Sequence, residues 1–106
     1  MTNLQNVGQF AGMEFATFKL KDGVKEEQML EIIKKVEMNF LQKEEGFLGH
    51  CTLKGENGLY ADVVFAISQE RSEEICGKWM ANEFAHQYVD LIDEPSVNMS
   101  FWNRIK

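Results

Sequence analysis

A chain of 106 residues that is 44% hydrophobic and 26% charged has the make-up of one ordered globular domain, which excludes a disordered or fibrous protein. Its 11 Lys+Arg against 17 Asp+Glu leave a net charge of −6, so phosphate backbones and anionic lipid surfaces would be repelled. Two cysteines make no disulfide framework, no run reaches the ~20 apolar residues of a membrane span, and the N-terminus lacks the basic and apolar parts of a signal peptide. The expectation is a cytoplasmic protein with no nucleic-acid or membrane partner.

Residues 1–12 are polar and glycine-punctuated and read as a flexible lead-in, with residues 13–106 forming the single domain. Met13 to Leu20 is rich in β-formers and ends at the turn cluster Lys21-Asp22-Gly23, predicting strand one. From Lys25 to Lys43 the period changes. Met29, Ile32, Ile33, Val36, Phe40 and Leu41 recur at helical spacing among charged residues, predicting an amphipathic helix. Glu44-Glu45-Gly46 stops it, and Phe47 to Lys54 reads as strand two.

Gly55-Glu56-Asn57-Gly58 is a hairpin signal, since Asn-Gly tolerates positive φ. Leu59 to Ile67 follows as strand three. Ser68 is placed to cap a second helix carrying Ile75, Trp79 and Met80, with a break near Ala81-Asn82 and a short continuation through Phe84, Tyr88, Leu91 and Ile92. Asp93-Glu94-Pro95 ends it, and Val97 to Arg104 is strand four.

The order β-α-β-β-α-β with right-handed crossovers predicts an α+β, ferredoxin-like fold: a four-stranded antiparallel sheet with two helices on one face. The other sheet face is then open, and a second copy packed sheet to sheet would cover it.

Strand alternation decides which residues can share a site. His50 and Cys51 are adjacent on strand two, so they point to opposite faces and cannot form a nucleophilic dyad unless a bulge intervenes. A two- or four-residue hairpin loop would put Cys51 with Tyr60, Asp62, Val64 and Ala66 on the open face. His50 would then lie with Ala61, Val63, Phe65 and Ile67 under the helices. A three- or five-residue loop would reverse the pairing. Cys76, on the helix layer, is too far from Cys51 for a disulfide, so both thiols are expected to be free.

The stretches EFATFKLKDGV (14–24), EEGF (44–47), SEEICGKWM (72–80) and LIDEPSVNM (91–99) resemble the dimeric α+β barrel superfamily. That group includes antibiotic-biosynthesis monooxygenase-like and stress-responsive A/B-barrel proteins. The likeness spans about residues 13–103 and rests on apolar patterns and turn residues. It implies a homodimer closed through the sheet, with a pocket for a small apolar or aromatic molecule. By the same resemblance the chemistry is cofactor-independent monooxygenation; the alternative is a non-catalytic ligand-binding or assembly module. No cofactor is implied.

Family chemistry narrows this further. A/B-barrel relatives often carry a strand-one histidine where this chain has Glu14, which disfavours polyketide-type cyclisation. Haem-degrading relatives use an Asn and a Trp where this chain has Ala16 and Ala66, leaving only His86 for their histidine. Heavy-metal carriers need a CxxC, which is absent, and RNA-recognition domains need basic and aromatic residues on strand three, whereas this one reads LYADVVFA and carries an aspartate.

Asp62 is the leading catalytic candidate, as a mid-strand carboxylate that could be a base or ligand anchor with a raised pKa. The bland alternative pairs it with a basic residue such as Arg104. His86 is the second catalytic candidate; without another His or Cys at ligand spacing, no metal site is expected. Glu14, on a strand read as paired in parallel, is either a strand-end side chain in solvent or a second carboxylate in Asp62's cavity. In the latter case the two pKa values would split. The expected pocket wall comprises Glu14, Phe18, Cys51, Tyr60, Val64, Trp79 and Phe84, with Tyr60 able to donate to a substrate oxygen. Trp102 belongs to the dimer seam.

Overall fold

The computed structural model describes residues 7–106. A 3₁₀ turn, Val7–Gln9, precedes β1 (Gly12–Leu20), α1 (Glu26–Asn39), β2 (Phe47–Lys54), β3 (Leu59–Ala66), α2 (Gln69–Gly77), α3 (Glu83–Val89) and β4 (Ile92–Asn103). Further 3₁₀ turns at Leu41–Lys43 and Trp79–Ala81 follow α1 and α2. The sheet order is β2-β3-β1-β4, antiparallel throughout, with the helices on one face. β1 is therefore paired antiparallel with β3, a correction to the parallel pairing expected for Glu14. The parallel relation is between β1 and β2, which β3 separates.

The local signals act much as the sequence suggests. Ser68 caps α2, its Oγ accepting from the Arg71 amide at 3.0 Å. The second helix breaks as expected, and Asn82 caps its continuation by accepting from the Phe84 and Ala85 amides. Pro95 does not precede the last strand; it lies within β4, an edge strand, where a missing N–H can face outward. The core forms where α1 and α3 meet the sheet, around Phe18, Met29, Val36, Leu41, Ile75 and Tyr88. Gly12 lies so close to the Ser68–Gln69 backbone that a Cβ there would collide with it. Only glycine lets α2 start directly against the central strand.

The hairpin register differs from the favoured expectation. Gly55 N–H donates to Leu59 O at 2.7 Å, closing a three-residue loop, Glu56-Asn57-Gly58, in which Asn57 and Gly58 take φ of 57° and 78°. His50 consequently pairs with Val64, Thr52 with Asp62, and Lys54 with Tyr60. Tyr60, Asp62 and Val64 thus join His50 beneath the helices, a correction to their placement on the open face. Cys51 does face the open side, but with Ala61, Val63 and Phe65. Across β1 and β4 that open face continues through Met13, Phe15 and Trp102. The rule that the more apolar strand face belongs under the helices fails here. The helix side holds charged groups, and the open side is an apolar sheet surface.

Both cysteines are free. Among the described residues, no helix is long and apolar enough to cross a membrane.

Candidate functional site

Strand pairing brings the carboxylates together. Ala16 is directly opposite Asp62 and Glu14 opposite Val64, so Glu14 and Asp62 are diagonal neighbours on the helix side of the sheet. They floor a cavity of about 350 Å³ with Ala16 and Phe18. Cys76, Trp79, Tyr88, Val89, Ile92 and Met99 wall it, and the exposed Met80, Glu94 and Val97 form its rim. A larger space of about 480 Å³ lies along α1 and α3, but it is an open groove lined by residues such as Glu27, Glu31 and Lys35, none of them buried. The buried carboxylates lie in the more enclosed of the two.

Behind the cavity floor lies a buried ionic chain. His50, 1% exposed, donates from Nδ1 to Glu37 Oε2 at 2.6 Å and from Nε2 to Asp62 Oδ1 at 3.0 Å. Burial alone would favour the neutral ring, but the Asp62 and Glu37 carboxylates raise it to about 9. At neutral pH it is therefore an imidazolium, and both nitrogens donate. Asp62 accepts further from Thr52 Oγ1 at 2.8 Å and from the Tyr88 hydroxyl at 2.7 Å. Burial opposes its charge, yet the His50 imidazolium and these donors hold its carboxyl below the usual range. Tyr88, buried and beside that carboxylate, is pushed well above the ordinary tyrosine value.

Glu14 is in the opposite condition. It is 6% exposed, and its Oε1 is the buried side-chain oxygen left without a hydrogen-bond partner among the described residues. Burial and the Asp62 charge push its carboxyl up to about 7, against the smaller downward pull of His50 and the Cys76 thiol. The same surroundings, burial first and Glu14 second, push Cys76 up to about 11; its Sγ lies 3.5 Å from Met99 Sδ. The two carboxylates thus have their pKa values driven apart by environment, one fixed as an anion and the other free to exchange a proton near neutrality.

The sequence candidates divide accordingly. Glu14, Phe18, Asp62 and Trp79 line the cavity. The solvent-exposed alternative for Glu14 is overturned, because central β1 carries it beneath α2. Asp62 is in the cavity with its carboxyl lowered, opposite to the raised value expected; its partner is His50 on the neighbouring strand. Arg104 instead binds the Gly8 and Phe10 carbonyls, each at 3.1 Å.

His86 is a correction. On α3 the inward positions are Ala85 and Tyr88, so His86 turns outward, exposed and 3.5 Å from Asp90. Cys51 is another, being on the far side of the sheet. Tyr60 stacks on Phe18 but sends its hydroxyl to Glu26 at 2.9 Å, away from the cavity. Val64 is buried under the helices and Phe84 packs against the core, with Lys35 over its ring; neither reaches the cavity.

Sequence reasoning missed Glu37, His50 as a functional group, Cys76 as a cavity wall and Tyr88. Glu37 had a signal: it follows Ile33 by four residues and precedes Phe40 by three, on the buried stripe of α1. Among the described residues, no group of three or more His, Cys, Asp or Glu is arranged to hold a metal ion.

Fold and cavity together define the class: a ferredoxin-like α+β protein with a carboxylate-bearing pocket between sheet and helices. Solved structures that share this fold include antibiotic-biosynthesis monooxygenase-like proteins. SnoaB, a cofactor-independent oxygenase from Streptomyces nogalater, matches with a TM-score of 0.70 and 9% identity over 92% of this chain and 95% of that one. A candidate antibiotic biosynthesis monooxygenase from Caulobacter crescentus CB15 matches at TM-score 0.67 and 10% identity, over 92% of each chain. An uncharacterized ferredoxin-fold protein from Listeria monocytogenes 4b F2365, related to antibiotic biosynthesis monooxygenases, matches at 0.67 and 13%, over 92% of this chain and 57% of that one. At these identities the shared property is the fold. No protein-family model and no curated protein matches the chain.

Proposed function

We propose that the protein is a homodimeric α+β barrel enzyme that takes a small, largely apolar aromatic molecule into the sheet–helix cavity and oxygenates it without a cofactor. Glu14 is the base. One observation carries the reading: a buried carboxyl, with an oxygen lacking any partner, opens into an apolar-walled cavity and is poised near neutral pH. Leaving a buried polar atom unpaired costs about 1–3 kcal/mol, which a substrate donor would recover. A base works best when its pKa is near the working pH.

Removing a proton from an electron-rich substrate gives an anion able to pass electrons to dioxygen. One oxygen atom enters the substrate and the other leaves as water, with the substrate's two lost hydrogens supplying the electrons and protons. Burial first, and then the charge of Asp62, held ionised by His50 and Tyr88, keep the Glu14 carboxyl high. The likeness to SnoaB supports the reaction class at the level of fold.

The homodimer is supported by the outward apolar face of Met13, Phe15, Phe65 and Trp102, of which Trp102 is 56% exposed. Light scattering should give about 24 kDa, twice the 12.2 kDa chain mass. A 12 kDa species at micromolar concentration would remove the sheet-to-sheet assembly.

Oxygen uptake over a panel of electron-rich phenols, with wild type, Glu14→Gln and Asp62→Asn, tests the chemistry. Turnover in wild type that collapses in Glu14→Gln is the expected result. Uptake unaffected by Glu14→Gln would eliminate the mechanism. Binding of the phenols without uptake would leave a ligand carrier.

A further inference from the structure

Every ionisable side chain on the cavity surface is either acidic or neutral when protonated. Glu14 comes from β1, Asp62 from β3 and Glu94 from β4, with the Cys76 thiol from α2 and the Tyr88 hydroxyl from α3. Among the described residues, no Lys, Arg or His lines it. The single cationic group nearby, His50 of β2, is 1% exposed and spends both ring N–H donors on Glu37 and Asp62, so it offers nothing to a ligand. Tyr88 likewise donates its hydroxyl hydrogen bond to Asp62. What remains for a ligand is an acceptor, Glu14 Oε1, with the Trp79 indole N–H at the wall and the ring faces of Phe18 and Trp79 beside it.

From this geometry we infer that the cavity selects its ligand by charge: it takes neutral or cationic aromatic molecules that present a hydrogen-bond donor to Glu14, and it rejects those bearing a carboxylate or phosphate. The inference deepens the oxygenase reading by naming the substrate class, and it rests on the same cavity. A donor replaces the solvation that Oε1 lacks, and an ammonium adds attraction to the carboxylates and ring faces. An anionic ligand finds no cation to pair with and meets like charge. Across ~10 Å of protein, one such charge lowers affinity by about an order of magnitude.

Calorimetric titration of the purified protein with four probes sharing a naphthalene body tests this: β-naphthol, β-naphthylmethylammonium, β-methoxynaphthalene and β-naphthoate. At about pH 8, naphthol and the ammonium should bind at least ~10-fold more tightly than naphthoate, with the methoxy compound between. Glu14→Gln should shrink the ammonium-to-naphthoate ratio to ~3-fold or less. A second arm needs no variant: moving wild type from about pH 8 to about pH 5.5 protonates Glu14 and should narrow the same ratio, while Asp62 stays ionised.

Naphthoate binding as tightly as naphthol overturns the inference, as does a ratio unmoved by both arms. Binding by none of the four overturns it as well. The expected order with no oxygen uptake on naphthol would instead overturn the oxygenase reading and leave charge selection standing.

Discussion

Replacing Glu14 with glutamine should make the protein more stable at mildly alkaline pH while removing its activity. The substitution keeps the side chain's shape and deletes its charge. In the folded protein the Glu14 carboxyl is pushed from 4.5 up to about 7, mainly by burial and then by Asp62. At 1.36 kcal/mol for each pKa unit, ionising it inside the fold costs about 3 kcal/mol more than in the unfolded chain. The sign follows from proton binding. A raised folded pKa means the native state holds the proton more tightly, so this contribution is fully present below 4.5 and is lost as pH climbs through about 7.

Glutamine cannot ionise and escapes that loss. Urea unfolding at fixed protomer concentration should therefore find Glu14→Gln within ~0.5 kcal/mol of wild type at about pH 4, and about 2–3 kcal/mol more stable at about pH 8. Oxygen uptake should fall by about 10²–10⁴-fold, the range for losing a general base. A variant no more stable than wild type at about pH 8 would refute the argument, because it would mean that Glu14 ionises without penalty.

His50 gives a second pH window. Its ring is raised from 6.5 to about 9, so its share of stability is complete below 6.5 and lost as pH rises through about 9. Wild type should lose about 3 kcal/mol across that window, and the lowered Asp62 carboxyl is the same pairing seen from its other partner. In His50→Gln the slope should vanish and stability at neutral pH drop by about 3–5 kcal/mol, since two buried carboxylates lose their cation; a variant retaining the slope would assign it elsewhere. Gly12→Ala should cost about 3 kcal/mol or more, measured by thermal unfolding, because its Cβ meets the Ser68–Gln69 backbone. His86→Ala, at an exposed position outside the cavity, should leave stability within ~0.5 kcal/mol and oxygen uptake unchanged, and a tenfold loss of uptake would return His86 to the site.

The fold was legible because its signals are local. The 3.6 period of α1, the Ser68 cap and the strand-forming run before Ser68 each act within a few residues, and β2 spans Phe47–Lys54 as read. The site was only half legible because it depends on one parity. The residues Glu56-Asn57-Gly58 accept a three-residue loop as readily as Asn57-Gly58 accepts a two-residue one, and a one-residue difference moves every β3 side chain relative to β2. With the parity unsettled, apolar character broke the tie and chose the wrong face for Asp62. Glu37 does not break the tie, because the favoured reading already placed His50 beneath the helices. A carboxylate on the buried stripe of α1 needs a cation beneath it, and His50 supplies one.

That need explains why the sheet is arranged with its charged residues under the helices. Glu37, His50 and Asp62 are nearly inaccessible together, and an apolar trio of the same volume would commonly be as stable or more so. Glu14 adds a further penalty near neutrality. Such a cluster is a poor device for holding helices to a sheet and a good one for setting a carboxyl's proton affinity. His50 cancels Asp62's tendency to take up a proton, and the fixed Asp62 charge then adds to the rise that burial gives Glu14, acting from one diagonal step away on the sheet. Meanwhile Phe15, Phe65 and Trp102 face the other way, where an isolated chain leaves apolar surface in water. In the proposed dimer that face becomes a second core, supplying the stability that the helix side gives up to its site.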